Sequence, residues 1–253
     1  MEGSTLAGKA LVVAAVFAVL FTVERAWPAV PRRGGWRRVG RNLGLWAMNA
    51  GLSPLLVVPL TAWAATLAPW QRPAWWGGAP GLVLDLVLLD FWIYWWHRAN
   101  HEVPLLWRFH VVHHLDGFLD TTTALRFHFG EVILSAGVRA LAVAALAMPL
   151  ASVLTFEAAV LVAALFHHSD IRIPPRLEAA LSQAIITPAI HWVHHHAVRA
   201  DTDSNYGTVL SLWDRLFASR SLSPRTPAMA IGVESMGERP LGVLLLAPFL
   251  PRR

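Results

Sequence analysis

Long runs of apolar residues constrain the fold of this chain more than any other feature. Five such runs lie at residues 6–23, 43–68, 81–96, 132–148 and 150–166. About 20 apolar residues in a helix cross the hydrocarbon core of a bilayer, and a helix satisfies its backbone hydrogen bonds internally. Charged residues make up 15% of the chain, compared with about 25% in soluble domains. We therefore predict an all-α integral membrane protein with about four to five membrane-embedded helices.

Prolines predict how these runs are built. Pro54 and Pro59 interrupt the second run, so a kinked helix or two half-helices are expected there, because proline removes a helical hydrogen bond. Pro149 separates the last two runs and predicts a helical hairpin, which either crosses the membrane or dips into it and returns. The first run lacks a cleavage pattern and is expected to be a retained span. Because the sequence has no polar linker or internal repeat, we expect a single domain over residues 1–253.

A short arginine-rich segment predicts the orientation in the membrane. The residues between the first two runs include Arg32, Arg33, Arg37, Arg38 and Arg41. Short loops rich in arginine stay in the cytoplasm. Counting spans from this loop places the later histidines on the cytoplasmic side, in a His-rich helical cap. We expect a multi-pass protein of a bacterial inner membrane, whose formal net charge of +5 serves contacts with membrane lipids and not with nucleic acid.

The chain contains no cysteine, which narrows its metal chemistry. Disulfides, thiolate-bound zinc, cysteine-ligated iron–sulfur clusters and a cysteine nucleophile are all excluded. Any metal ion must therefore be bound by His, Asp or Glu side chains.

The histidines are concentrated in one part of the chain. All twelve lie between residues 97 and 196, in five clusters: His97 and His101; His110, His113 and His114; His128; His167 and His168; His191, His194, His195 and His196. Residues three or four apart share a face of a helix, so each H-x-x-x-H or H-x-x-H-H set is expected to direct its rings to one side. A lone histidine is usually satisfied by a hydrogen bond, whereas clustered neutral rings offer lone pairs to a metal ion.

The number of histidines predicts two metal ions, because one zinc ion takes only three or four ligands. Ligand chemistry alone admits iron, copper or zinc. The chain lacks an H-E-x-x-H pair, which argues against a metalloprotease. A His-rich membrane protein that binds or transports metal ions is the alternative from another class. It predicts polar groups at mid-membrane, whereas these histidines are expected at the cytoplasmic ends of the helices.

The motifs also occur in an order that belongs to a known family. They are residues 90–101 (DFWIYWWHRANH), 107–114 (WRFHVVHH), 126–131 (RFHFGE), 167–170 (HHSD), 187–195 (TPAIHWVHH), 203–207 (DSNYG) and 212–217 (LWDRLF). Together they resemble the fatty acid hydroxylase and sterol desaturase superfamily of membrane-bound, histidine-rich di-iron enzymes. The resemblance covers about residues 90–217.

This resemblance implies a set of site residues. The implied ligands of two iron ions are His97, His101, His110, His113, His114, His128, His168, His191, His194 and His195. Candidates for holding those ligands in place are Asp90, Glu131, His167, Asp170 and His196. A carboxylate orients a ligand imidazole by accepting its second N–H, but Asp90 lies near the end of a span and packing between helices is an equal alternative.

The resemblance further implies an oxygen-dependent attack on an unactivated C–H bond of a lipid-like substrate, which is a fatty acyl chain, a sterol, a sphingoid base or a carotenoid. Hydroxylation is our first expectation and desaturation the second, since both begin with the same hydrogen abstraction. With dioxygen as co-substrate, two further electrons are needed. The chain has no G-x-G-x-x-G fingerprint and no cysteine for a cluster, so we expect an external donor: a ferredoxin or a small haem cytochrome with its reductase.

Overall fold

The computed structural model describes residues 2–234 and 236–250, and this part of the chain is helical, with isolated β-bridges in place of a sheet. Seven helices precede the late cap segments: α1 (Glu2–Ala26), α2 (Trp36–Leu52), α3 (Val58–Ala64), α4 (Gly78–Glu102), α5 (Pro104–His114), α6 (Phe129–Ala145) and α7 (Leu150–His168). Shorter helices follow: α8 (Pro175–Leu181), α9 (Pro188–His194), α10 (Arg199–Thr202), α11 (Leu212–Leu216) and α12 (Leu241–Leu246). The predicted all-α class is confirmed.

Within the described residues, three helical stretches are long and apolar enough to cross a bilayer. They are Trp36–Ala64, Gly78–Glu102 and Leu150–His168. Helices α1 and α6 occupy two more of the predicted apolar runs. The chain is therefore an all-α integral membrane protein, while the number of spans, four to five, stays a prediction.

The expected interruption of the second run takes the form of a π-helical turn. This turn, Ser53–Val57, joins α2 to α3, and the N–H of Val58 donates to the carbonyl of Ser53, five residues earlier. Pro54 occupies the first turn of this segment, where its missing N–H is tolerated because the longer spacing re-pairs the backbone. The second run is thus one interrupted helical stretch.

Helices α6 and α7 form the predicted hairpin. The turn contains Ala147 in the left-handed region, with φ of 51°, and Pro149 is the N-cap of α7. α6 packs against α3 and α4, whereas α7 packs against α1 and α4. Val143 and Phe156 lie in a buried apolar cluster with Leu89 of α4. Since these helices share α4, they are fixed relative to the histidines at its end.

One of the arginines that we assigned to the cytoplasmic loop lies inside the protein. Arg38 is in the first turn of α2, its side chain is buried, and it pairs with Asp116 at 2.5 Å and Asp120 at 2.7 Å. Because α2 begins at Trp36, the helix turns this arginine toward the segment after α5. Arg32, Arg33 and Arg37 remain exposed, so the charged surface of this segment is smaller than the sequence suggested.

Candidate metal centre

Nine histidines meet in two adjacent groups at one end of the long helices. In the first group, one ring nitrogen of each of five residues lies within 4.8 Å of the others: His97, His101, His110, His114 and His194. In the second group, four residues meet the same condition: His113, His168, His191 and His195. All of them except His97 are classed as buried, and His97 is half-buried. Histidines from four of the five sequence clusters therefore meet in one region of the structure.

The second group has the spacing of a ligand set. The Nε2 atom of His168 lies 3.1 Å from that of His113 and 3.0 Å from that of His191, and the Nε2 atoms of His191 and His195 are 3.1 Å apart. Nitrogens that bind one metal ion at about 2.1 Å and at right angles to each other would lie about 3.0 Å apart. Four imidazoles are thus arranged around a common point.

Unpaired nitrogens in the first group support the same reading. The Nε2 atoms of His110 and His194, and both ring nitrogens of His101 and His114, are buried without a hydrogen-bond partner among the described residues. Buried polar atoms are normally paired, and each exception calls for an explanation. A metal ion at the centre of the group would accept the lone pair of one nitrogen from each ring, so the residues present fit such an ion.

Helix geometry divides each H-x-x-H-H set between the groups, which differs from the expected single face. In α5, His110 and His114 enter the first group and His113 enters the second. Around α9, His191 and His195 enter the second group and His194 the first. Residues four apart lie nearly above one another, whereas neighbours are separated by about 100° on the helix. Each H-x-x-H-H set therefore contributes histidines to both groups.

Backbone carbonyl groups fix the orientation of several rings. The Nδ1 atom of His97 lies 2.8 Å from the carbonyl of Tyr206, and that of His194 lies 2.6 Å from the carbonyl of Ser204. In the second group, the Nδ1 atoms of His113 and His168 approach the carbonyls of Arg126, at 3.1 Å, and Ala164, at 2.8 Å. A carbonyl can only accept, so each Nδ1 carries the proton and each Nε2 keeps its lone pair.

A carboxylate performs the same task for His110. Glu131, in the first turn of α6, accepts from the Nδ1 atom of His110 at 2.8 Å, and its side chain is buried. The sequence proposed Glu131 for this role, and the structure places it in contact. Asp203 lies 3.4 Å from the Nδ1 atom of His101.

Two other carboxylates accept hydrogen bonds from the loop that follows α10 and hold it in place. Asp214 accepts from the N–H groups of Tyr206 and Gly207 at 2.7 and 2.8 Å. Asp90 accepts from the N–H groups of Val209 and Leu210 and from the indole of Trp213. Asp90 therefore holds the loop by hydrogen bonds. Among the described residues it makes no hydrogen bond to a histidine ring, so it does not orient a ligand in the way the sequence suggested. The loop in turn supplies the carbonyl that orients His97.

Burial keeps the rings in the cap neutral. Desolvation lowers the pKa of His194 to about 3, although its hydrogen bond to Ser204 raises it. Desolvation also lowers the pKa values of His113, His114, His191 and His195 well below the usual value, and neighbouring histidines add to the effect. A neutral imidazole is the form that binds a metal ion.

Three other predicted site residues lie away from the two groups, and a fourth lies beside the second group. His128 caps α6, where its Nδ1 accepts from the N–H of Gly130 at 2.9 Å while its Nε2 lies 3.0 Å from the carbonyl of Leu245. His196 pairs with Asp201 at 2.7 Å. Asp170 pairs with Arg225 at 2.8 Å and contacts no ligand ring. His167 lies beside the second group, with its ring centroid 4.0 Å from that of His191.

A cavity of about 440 Å³ leads from the histidines into the helical bundle. This volume lies within the range of about 300–1,000 Å³ that is typical of small-molecule sites. His97, His110, His113, His168 and His191 line one end. Eight apolar side chains of α2, α4, α6 and α7 also line the cavity: Trp46, Ile93, Trp96, Val132, Phe156, Val160, Leu161 and Ala164. The cavity therefore joins the histidines to a largely apolar surface between the helices.

Sequence reasoning missed the carbonyl partners and the clamp formed by Asp214. Carbonyl positions depend on how the loops fold, and no side-chain pattern encodes them. Asp214 lies in the LWDRLF motif, in the first turn of α11. The available clue in the sequence was an acidic residue within a motif that is otherwise rich in apolar and aromatic residues.

Comparisons with known proteins bear on this site. A family model described as fatty acid hydroxylase matches residues 82–219. An ornithine lipid hydroxylase of Rhizobium tropici is 32% identical over 179 residues, which are 70% of this chain and 53% of that protein. Alkylglycerol monooxygenases of Xenopus tropicalis and Homo sapiens are 32% and 30% identical over 60% of this chain and 31% and 32% of their own. The chain thus spans about half the length of the first relative and a third of the others. No solved structure matches significantly.

Proposed function

The chain belongs to the fatty acid hydroxylase family, since the family model matches more than half of it, and we propose that it is an oxygen-dependent di-iron enzyme of the membrane. In this proposal it hydroxylates an unactivated C–H bond of a lipid-like substrate. The observation that carries the proposal is the position of two groups of buried, neutral histidines at the end of an apolar cavity. The curated relatives are named as hydroxylases and monooxygenases of lipids.

The proposed ligands are the nine histidines of the two groups. His97, His101, His110, His114 and His194 would hold one iron ion, and His113, His168, His191 and His195 the other. His128 is left out of the set, because both of its ring nitrogens contact backbone groups. The iron pair would supply the activation of dioxygen, which organic side chains cannot perform. Nitrogen donors alone also admit zinc or copper, so the metal itself is part of the test.

The protein's own contribution is to present the substrate and exclude water. The apolar walls formed by Trp96, Phe156 and Leu161 favour a hydrocarbon chain over water, by about 25 cal/mol for each Å² of apolar surface removed from water. His110 and His113 line the cavity and also belong to different histidine groups. A methylene group at that end of the cavity would thus face both groups at once. Substrate shape would then determine which carbon is oxidised.

We further propose that the histidine site faces the cytoplasm and that electrons arrive from a separate ferredoxin or small haem cytochrome with its reductase. The exposed Arg32, Arg33 and Arg37 precede or begin α2. Such a basic surface attracts an acidic donor or anionic lipid headgroups. Because the chain is free of cysteine, a single Cys replacing Arg33 would report its side of the membrane in intact cells. Labelling from the periplasmic side would refute the orientation.

The proposed activity can be tested on cells that express the wild type or the His194→Ala variant. Under isotopically labelled dioxygen, we expect wild-type cells to accumulate a lipid with one labelled hydroxyl group, and variant cells to lack it. Purified protein should contain about two iron ions per chain and should need a reductase system for turnover. Stoichiometric metal without any labelled lipid would instead favour a metal-binding or transport protein, and an unlabelled double bond would favour a desaturase.

A further inference from the structure

The cavity wall contains an ion pair far from the histidines. Arg139 of α6 and Glu157 of α7 both line the cavity, and their side chains are 2.8 Å apart. Ser135, one helical turn before Arg139, lines the cavity as well. Residues four apart lie on the same face of a helix. These three residues therefore form a polar patch in the cavity wall.

This patch lies deep in the membrane-embedded part of the helices. Glu157 is separated by eleven residues from His168 in α7, which is roughly 16 Å along a helix axis. Arg139 is separated by eight residues from Glu131 in α6, or roughly 12 Å. The patch and the histidines thus lie at opposite ends of one cavity. Charged side chains at membrane depth are costly, and those that face a cavity mark substrate or ion sites.

The pair is not fully satisfied by its own members. The Nε atom of Arg139 is buried and has no hydrogen-bond partner among the described residues. A purely structural ion pair would replace the lost hydration with a complete set of hydrogen bonds, because an unpaired charged donor is expensive to bury. The side chains of Arg139 and Glu157 remain 15% and 31% exposed and both line the cavity, so a ligand in the cavity can contact both members of the pair.

We propose that Arg139 and Glu157 form a subsite for a neutral polar group of the lipid substrate, one that both donates and accepts hydrogen bonds, such as an amide. The inference rests on the proposed function for the identity of the substrate as a lipid. The guanidinium donates to the carbonyl oxygen and the carboxylate accepts from the N–H. A net-neutral pair gives little net attraction to an ion, since the attraction of a carboxylate to Arg139 is offset by its repulsion from Glu157 and the reverse holds for an ammonium, while the ion must still lose its hydration. Anchoring this group sets which carbon of the chain reaches the histidines.

The test measures ligand binding and needs no turnover. Iron-loaded, full-length protein in lipid nanodiscs is kept free of oxygen, and binding of radiolabelled hexadecanamide is competed with heptadecane, hexadecanoate and hexadecyltrimethylammonium. We expect the wild type to bind the amide about tenfold more tightly than any of the three competitors, which corresponds to about 1.4 kcal/mol. A wild type that binds the anion or the cation first, or the alkane as tightly as the amide, would overturn the proposal.

The variant for this test replaces both members, Arg139→Met with Glu157→Met, because removing one partner would leave an unpaired charge. We expect its preference for the amide to fall about tenfold, to that of an apolar cavity, while heptadecane binds unchanged. Val160→Ala, which also alters the cavity wall, is the matched control and should keep the preference. An unchanged preference in the double variant would refute the subsite, and if this variant does not fold, the wild-type ranking decides alone.

The two hypotheses fail in different ways. If the double variant loses the amide preference but the wild type never forms a hydroxylated lipid, the subsite is retained and the proposed reaction is refuted. If the wild type forms a hydroxylated lipid but the double variant keeps the amide preference, the reaction is retained and the subsite is refuted.

Discussion

Replacing Glu131 should loosen one metal ion and leave the other in place. Its carboxylate accepts from the Nδ1 atom of His110 at 2.8 Å, and both side chains are buried. Hydrogen bonds that involve a charged partner contribute about 1.5–3 kcal/mol, and loss of such a partner of a metal ligand typically weakens metal binding by about 10–100-fold. These two ranges agree, since a tenfold change corresponds to about 1.4 kcal/mol.

We therefore expect Glu131→Leu to weaken metal binding at the five-histidine group by about 10–100-fold. Glu131→Gln keeps an acceptor oxygen without the charge and should lie near the lower end of that range. The four-histidine group should be unaffected, because His113 and His168 use backbone carbonyls as acceptors.

The assay is titration of metal-loaded protein with a chelator, followed by counting the ions that remain bound. The matched control is Glu234→Leu, which removes an exposed carboxylate in the cap. Metal retention by Glu131→Leu equal to that of the control, or equal loss of both ions, would refute the reasoning.

Three further predictions follow from the same geometry. His194→Ala and His195→Ala belong to different histidine groups, so each should remove about one metal ion per chain by elemental analysis; loss of both ions from either variant would contradict two independent sites. His128→Ala should retain both ions and lose about 0.5–2 kcal/mol of stability, the usual contribution of an N-cap, as measured by unfolding; loss of metal would return it to the ligand set. The pKa of Asp120 is lowered, because hydrogen bonds from Arg38 and Thr122 outweigh the desolvation that raises it. The Asp120 carboxylate therefore stabilises the folded protein above its ordinary pKa of 3.8, and this stabilisation is lost as the pH falls through the lower pKa that the group has in the folded protein. Asp120→Asn should thus lower the unfolding temperature at pH 7, with a gap that closes in acid; a gap independent of pH would refute this.

The helices could be predicted because their causes are local. Apolar length fixes a membrane helix whatever it packs against, and the prolines at 54 and 149 mark a π-helical turn and a hairpin. The convergence of histidines was also predictable, because few other arrangements satisfy so many imidazoles. Their roles as iron ligands remain a proposal.

The parts that could not be predicted depend on contacts between distant segments. Arg38 meets Asp116 only because the segment after α5 folds back onto α2. His113 and its neighbour His114 belong to different groups because the two groups contact adjacent faces of one helix. Arg139 and Glu157 each lie in an apolar run and pair only when the hairpin forms. The periodicity of one segment does not reveal which distant segment its residues will contact.

The choice of imidazole ligands suits a site at the edge of a membrane. Soluble di-iron bundles use glutamates, and burying carboxylates before metal arrives is costly, because each charge must be desolvated. Here four Nδ1 atoms donate to backbone carbonyls, and Glu131 is the carboxylate closest to a ring of the two groups, at 2.8 Å. The ligand set is therefore nearly uncharged before metal binds. In the proposed function, the apolar helices would insert and pack first, and metal ions would then enter a site in which several rings are already oriented.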